Sequence, residues 1–357
     1  MTKRVLQICP HDSAPFGALC RAYAKAVAAF GGHCEIIYLQ AEGPLGADEY
    51  ALDVPNLRSS RRLRKALLKQ LEALSSATAA GTEWDLILCH RYRSFRTALA
   101  ADLTPWRMVV VAHEYDMLQS RRRRLQRRLF AKQVRFAGVS PSVAQQLADV
   151  TGYMAVPPNI LERSDVPLTR AQARSQLGLD QAELIVGVVG RLHYKKRPQL
   201  ALSAFQQFAE QRPESTRLVF AGTGDAEIEQ QLLAGDAQLL GSVANMTELM
   251  PAFDVLLHTG DVESFGMVLL EAMAAGVPVV VGAGGGPAYV LDELGCYAET
   301  DDAAGYAAAM QAAMNLDRQA YAAAAQQRWQ QHFSVTAISR SLAALVRFVA
   351  KPEQDPF

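Results

Sequence analysis

Residues 254–284 read DVLLHTGDVESFGMVLLEAMAAGVPVVVGAG. The outer segments, "DVLLHTG" and "VPVVVGAG", are apolar runs without polar alternation, the pattern of strands buried on both faces of a parallel sheet. Between them "ESFG" opens a helical segment, so the stretch predicts a strand–helix–strand unit of an α/β domain. Two carboxylates break this apolar composition. Glu263 stands just before the helix start, and Glu271 lies inside it among Leu269, Leu270, Ala272 and Met273. A carboxylate there is costly to desolvate unless something pairs with it.

The same pattern extends outward in both directions. "ELIVGVVG", "TRLVFAG" and "AQLLGSV" precede the stretch as further strands, with helices between. In the first half "RVLQIC", "CEIIYL", "WDLILC", "RMVVVA", "FAGVS" and "MAVPP" alternate with Ala/Leu/Arg-rich helical segments. "PPNILERSDVPLTRA", rich in proline and poor in periodicity, reads as a linker near 157–170. A chain of 357 residues is too long for one comfortable core. The expectation is two doubly wound parallel-sheet domains, 1–165 and 166–333. Helices are expected near 302–314, 317–332 and 334–350, and the last, within 334–357, is expected to cross back to the first domain. Ligands of such folds bind outside the strand C-termini, so the site is expected in a cleft between the two sheets.

Composition narrows the class. No apolar stretch reaches the roughly 20 residues of a membrane span, and the N-terminal apolar segment is too short for the core of a signal peptide. Five cysteines without CxxC spacing predict reduced thiols and a cytoplasmic protein. The net charge of zero hides an asymmetry: 23 basic against 15 acidic residues through Asp165, and 13 against 21 beyond it. Such imbalance speaks to partners.

A dinucleotide-binding enzyme is disfavoured, because "GAGGGP" has Pro287 and "GTGDAE" has Glu227 where the fingerprint needs its last glycine. "VGRLHYKKRP" instead places Arg191, Lys195, Lys196 and Arg197 at a strand's C-terminal edge, either an anion site or a solvated basic turn. In "FAGTGD", Gly222 and Gly224 allow close approach of a ligand or simply make a tight turn. "ESFG" puts Gly266 at a helix start, where unpaired N–H groups favour phosphate.

With "GRLHYKK", "AGTGD" and "ESFGMVLLEAMAAGVPVV", the chain resembles the retaining nucleotide-sugar glycosyltransferases of family four, which have the GT-B fold. The last segment looks like that family's E-x7-E signature. Over the first domain the resemblance rests on the glycine-containing loop "APFGA" with Gly17, "VVAHEYD", "GVSPSV" and "PPNI". It implies two Rossmann-like domains facing each other and a nucleoside diphosphate sugar donor, with a UDP-sugar favoured and no cofactor. By the same resemblance, Arg191 and Lys196 hold the diphosphate, Glu271 the ribose, and Glu263 lies near the donor sugar. Phe265, Gly266 and Met267 supply backbone to sugar and phosphates. His113 faces the sugar; a packed strand-end histidine is the alternative. Two departures concern acceptor or sugar recognition: Gly17 stands without an adjacent glycine, and Ala288 replaces the glutamate that commonly follows Gly-Gly-x-Pro.

The expected reaction transfers the sugar with retention to a hydroxyl of a glycan or glycolipid, in lipopolysaccharide or other surface-polysaccharide synthesis. Fixed cations would stabilise the departing diphosphate, and with no DxD-type motif near a strand end, no metal is expected. Two other readings are a catalytically silent nucleotide-sugar-binding scaffold and a nucleotide-sugar 2-epimerase on the same fold. Finally, "DMLQSRRRRLQRRLFAK" contains Arg121, Arg122, Arg123, Arg124, Arg127 and Arg128, with Leu118, Leu125 and Leu129 at helical spacing. A solvated helix face and nucleic acid are alternatives, the latter without an accompanying aromatic pattern. An anionic membrane surface or phosphorylated glycolipid is favoured, giving a peripheral membrane protein.

Overall fold

The computed structural model describes residues 2–13, 16–52, 54, 59–77, 83–130, 133–147, 153–155, 159–163, 166–212 and 214–349. Ala14 and Pro15 of the first glycine loop, Pro157 and Pro158 of "PPNI", and the boundary residue Asp165 lie outside them. The chain divides into two compact units. Unit 1 comprises the residues up to Glu162 together with those from His332 on, and unit 2 runs from Arg163 to Gln331.

Among the described residues unit 1 has seven strands: β1 (Arg4–His11), β2 (His33–Gln40), β3 (Glu49–Ala51), β4 (Leu86–His90), β5 (Met108–Ala112), β6 (Arg135–Gly138) and β7 (Tyr153–Ala155). All pair in parallel, in the order β3-β2-β1-β4-β5-β6-β7. Their apolar runs are buried throughout, as at β4 and β5, because helices cover both faces. Helix Val335–Val349 packs against helix Phe16–Ala29 and so belongs to this unit.

Unit 2 repeats the topology with β8 (Leu184–Val189), β9 (Thr216–Ala221), β10 (Gln238–Gly241), β11 (Val255–His258), β12 (Val279–Gly282) and β13 (Gly295–Ala298). The order β10-β9-β8-β11-β12-β13 is again parallel throughout. In both sheets the order reverses beside the first strand, between β1 and β4 and between β8 and β11. These are the switch points at which doubly wound sheets bind ligands. The edge strands β3 and β13 were not evident in the sequence; short and mostly half-buried, "EYA" and "GCYA" carry no apolar run.

The core of unit 2 gathers Phe208, Phe220, Leu232, Val255, Tyr306 and Met310 under helices Pro198–Ala209 and Ala303–Met314. At the opposite edge from the expected site, the guanidinium of Arg174 is wholly buried. It donates to the carbonyls of Ala252, Asp180, Gln181 and Glu183 and to the Asp254 carboxylate at 2.6 Å. Asp254 also accepts from the Ile185 amide at 2.8 Å, tying the start of β11 to β8. A buried charge is tolerable when its donors are satisfied in this way.

Cys9 on β1 and Cys20 on helix Phe16–Ala29 lie side by side, with Cα atoms 7.6 Å apart, wider than a disulfide spans, while Cys34, Cys89 and Cys296 are free thiols. The fold brings together two residues that carry no spacing signal in the sequence.

Gly187, in the middle of β8, makes room for the ring of Phe253, which a Cβ there would meet at 2.5 Å. Gly187→Ala is expected to lower the urea midpoint, by an overpacking cost of roughly 1–3 kcal/mol.

Candidate active site

The C-terminal edge of the unit 2 sheet is built from turns pressed backbone to backbone. After β8 the chain turns at Gly190, and after β9 at Gly222, both at positive φ. A Cβ on Gly222 would meet the Gly190 carbonyl oxygen at 1.9 Å, and one on Gly224 the Leu192 carbonyl oxygen at 2.0 Å. Leu192 donates to Thr223, and Asp225 donates back to Leu192. Both glycines expected to admit a ligand thus have a packing reason of their own.

This contact presents the cationic turn 191–197. Arg197 is spoken for: it binds Asp301 through 2.7 and 2.9 Å hydrogen bonds. Lys196 donates to Glu263 Oε2 at 2.7 Å, and the Thr259 hydroxyl donates to the carbonyls of Lys196 and Arg197, holding the turn against the loop after β11. Arg191 and Lys195 are exposed and have no ion-pair partner among the described residues. Of the four cations, Arg191 and Lys195 remain open to an external anion, and Lys196 reaches one only beside Glu263.

Glu263 is largely buried, and burial alone would raise its pKa. Lys196, His258 and the amide of Phe265 outweigh that and hold the carboxylate below its usual range. Its partner His258 closes β11, 4% exposed, with Nε2 3.6 Å from Glu263 Oε2. Burial, reinforced by Lys196, pushes the imidazole down to about 4, so it is neutral at physiological pH. Phe265 gives its amide to Glu263 and its side chain to the core. The following amides, those of Gly266 and Met267, have no acceptor among the described residues. Gly266 sits at φ +92°, capping helix Met267–Ala274. Two such N–H groups at a helix start are the arrangement that favours an anion.

Glu271 lies on the same helix, half-buried, with no cation paired to it among the described residues. Burial pushes its carboxyl up to about 7, against the opposing hydrogen bond with Thr247. The buried ion pair that would have given this residue a purely structural role does not exist among the described residues.

In unit 1, His113 follows β5 and is 9% exposed. Its Nε2 lies 3.1 Å from Nδ1 of His90, the last residue of β4. Phe16 stacks edge-on to the His113 ring at 5.1 Å, and the Arg91 guanidinium lies over Phe16 at 4.8 Å. Gly17 follows Phe16, where a Cβ would collide with the Asp12 carbonyl oxygen at 1.7 Å. Packing of the helix on this loop therefore requires a glycine.

Helix Arg121–Phe130 corrects one expectation, that all six arginines are open to a partner. Its packed face holds Arg123, Gln126, Arg127 and Phe130: Arg123 lies over the Tyr92 ring at 4.7 Å, Gln126 accepts from the Tyr92 hydroxyl, and Phe130 meets Phe95. Arg127 is 5% exposed and unavailable to a surface ligand. Leu125 and Leu129 do not face the core; they are 59% and 65% exposed beside Arg121, Arg122, Arg124 and Arg128. The helix is amphipathic in the inverted sense because aromatic rings hold it by the aliphatic and planar parts of polar side chains.

Arg191, Lys196, Glu263, Gly266 and Met267 thus belong to one edge of unit 2, with Glu271 on the adjoining helix. His113 and Gly17 belong to the corresponding edge of unit 1. His258, Thr259, His90 and Phe16 were missed in the sequence. The only signal for either histidine was a titratable residue closing an apolar strand.

Residues 169–329 match the family described as glycosyl transferases group 1. The chain is 31% identical over 159 residues to the D-inositol 3-phosphate glycosyltransferase of Segniliparus rotundus, covering 41% of this chain and 35% of that protein. It is 28% identical over 216 residues to the lipopolysaccharide core biosynthesis mannosyltransferase LpsB of Rhizobium meliloti, covering 54% and 61%. The matches therefore span only about a third to three-fifths of those relatives' lengths. The crystal structure of Anabaena HepE in complex with UDP and glucose superposes with a TM-score of 0.72 at 19% identity, over 96% of this chain and 99% of that one. That likeness establishes the GT-B fold class expected from the sequence.

The raised Glu271 carboxyl makes a signed prediction. Between its ordinary 4.5 and about 7, the folded protein holds a proton that the unfolded chain has released. Stability therefore falls as pH rises through that window and stays level above it. Glu271→Gln is expected to abolish the slope and to stabilise the unliganded protein above pH 7 by roughly 1–3 kcal/mol. Urea titrations on either side of the window check it.

Proposed function

We propose that the protein is a retaining glycosyltransferase that moves a sugar from a nucleoside diphosphate donor to a hydroxyl of a glycan or glycolipid acceptor. The observation that carries this reading is the edge of unit 2. There the unpaired Arg191, the Lys196–Glu263 pair and the free amides of Gly266 and Met267 converge on the loops that follow β8 and β11. As the glycosidic bond breaks, charge builds on the departing diphosphate, and these groups stabilise it without reorganising. Glu271 takes the ribose hydroxyls, which explains why an unpaired carboxyl is kept where it costs stability. Glu263 and His113 address the sugar. The leaving phosphate oxygen receives the acceptor proton while the acceptor attacks the same face.

The glycosyltransferase match over 169–329 and the UDP named in the HepE structure support a UDP-sugar donor. The mannosyltransferase relative supports a role in surface-polysaccharide assembly. A silent scaffold would hold the diphosphate with the same cations but transfer nothing, and a 2-epimerase would need no acceptor. Incubation with labelled nucleotide sugars and glycolipid acceptors separates the three: transfer supports the proposal, release of an epimerised sugar the epimerase, and neither the scaffold.

Arg191→Ala and Lys196→Ala are each expected to lower transfer by roughly 10²- to 10³-fold, and Arg191→Ala also to reduce the thermal shift given by UDP. Activity should survive EDTA, because fixed cations take the place of a divalent ion. Glu263→Gln tests a covalent alternative: retention of most of the rate excludes Glu263 as a nucleophile.

The protein is further proposed to act in the cytoplasm, on the inner face of the membrane. Among the described residues no helix is long and apolar enough to cross a membrane. The outward face of helix Arg121–Phe130 joins four arginines to two exposed leucines, which suits shallow insertion among anionic headgroups. Replacing Arg121, Arg122, Arg124 and Arg128 by Ala should weaken binding to phosphatidylglycerol vesicles at low salt by roughly 1 kcal/mol per residue. Equal binding of the variant and the native protein would refute the membrane assignment.

A further inference from the structure

We propose that Gln7 and His90 are positioning residues that fix the ring tautomer of His113, keeping its Nε2 protonated and its Nδ1 an acceptor. The inference starts at the Gln7 amide, which is wholly buried on β1. Its Nε2 donates to the Cys20 carbonyl at 2.8 Å and to Cys34 Sγ at 3.2 Å. Turning the amide over would set its oxygen against the Cys20 carbonyl oxygen, so the orientation is determined by its surroundings.

The Gln7 oxygen therefore faces His90 Nε2, at 3.1 Å. An oxygen can only accept, so His90 carries its proton on Nε2, and its Nδ1 is left with a lone pair. That lone pair faces His113 Nε2 at 3.1 Å, which must then be the donor. Two hydrogen bonds thus carry the chemical asymmetry of one amide to a ring on β5's outgoing loop. Any other assignment sets two lone pairs or two protons against each other in a buried site.

The surroundings keep both rings neutral. Burial pushes His90 down to about 4, and burial together with His90 and the Arg91 charge pushes His113 well below its ordinary value. Tyr23 packs on His90, Phe16 packs on His113 with His11 beyond it, and the Cys9 and Cys20 sulfurs lie within 4.8 Å of a His90 nitrogen. The consequence for catalysis rests on the sugar-transfer reading: a neutral ring protonated at Nε2 offers no proton at Nδ1 to a carboxylate or phosphate. The geometry itself does not depend on that reading.

Long-range proton–nitrogen correlation spectra of the ¹⁵N-histidine-labelled protein test the assignment directly. The native protein should show His113 protonated at Nε2, with no titration between about pH 5.5 and 8.5. Gln7→Met removes the acceptor and should give mixed tautomers at both rings. His90→Phe should release the His113 tautomer, whereas His90→Gln, whose amide oxygen can still accept, should preserve it. In transfer assays Gln7→Met and His90→Phe should lose roughly ten- to hundredfold in kcat, the scale on which residues that orient a functional imidazole act, with His90→Gln largely restoring it. A proton on Nδ1 of His113 in the native protein, or an unchanged His113 tautomer in Gln7→Met, would overturn the proposal. If the spectra behave as expected while no protein transfers sugar, the relay stands and the glycosyltransferase reading falls.

Discussion

The buried guanidinium of Arg174 fixes the geometry on which unit 2 is built. By binding Asp254 and four carbonyls, it holds the entering ends of β8 and β11 together at the reversal of strand order. Adjacent parallel strands pinned at one end emerge in register at the other, and there they deliver Lys196 and His258 to the same place. An ion pair of this kind contributes little net stability. Its effect is positional, because one guanidinium gathers acceptors from the loop before β8, from Ala252 and from the Asp254 carboxylate.

The two units solve the same problem with different chemistry. Each closes the strand beyond its switch point with a buried histidine, His90 on β4 and His258 on β11, and in each case burial keeps the ring neutral. In unit 1 the histidine passes a hydrogen-bond polarity to a neighbouring ring. In unit 2 it lies against a carboxylate–ammonium pair, where a neutral ring adds no charge. At this edge unit 1 thus carries a pair of neutral imidazoles and unit 2 a charged pair.

Much of this was legible in the sequence, for physical reasons. Strands buried on both faces cannot alternate, so β1, β2, β4, β5, β8, β9, β11 and β12 stand out as apolar runs, whereas β3 and β13 do not. Arg191, Lys196, Glu263 and Glu271 drew notice in the sequence because charge next to such runs is conspicuous. What could not be read was how charges cancel. Arg197 and Asp301 are far apart in the chain, so only the fold shows that this cation is consumed. The ligand roles suggested for Gly17, Gly222 and Gly224 likewise met a competing explanation, since the crowding carbonyls of Asp12, Gly190 and Leu192 leave no signature of their own. Spacing identified a basic, leucine-bearing helix but not that its packed side is polar, with Arg127 buried and Leu125 and Leu129 outward.

That inversion has an evolutionary corollary. The helix Arg121–Phe130 is anchored through the partners of Tyr92 and Phe95, and its outward residues contribute little to folding. Mutations there escape the selection that conserves a core, so the face can drift between basic, apolar and neutral character while the scaffold stays intact. Half a dozen codons could thus change what this face presents to its surroundings without reopening the problem of how the chain folds.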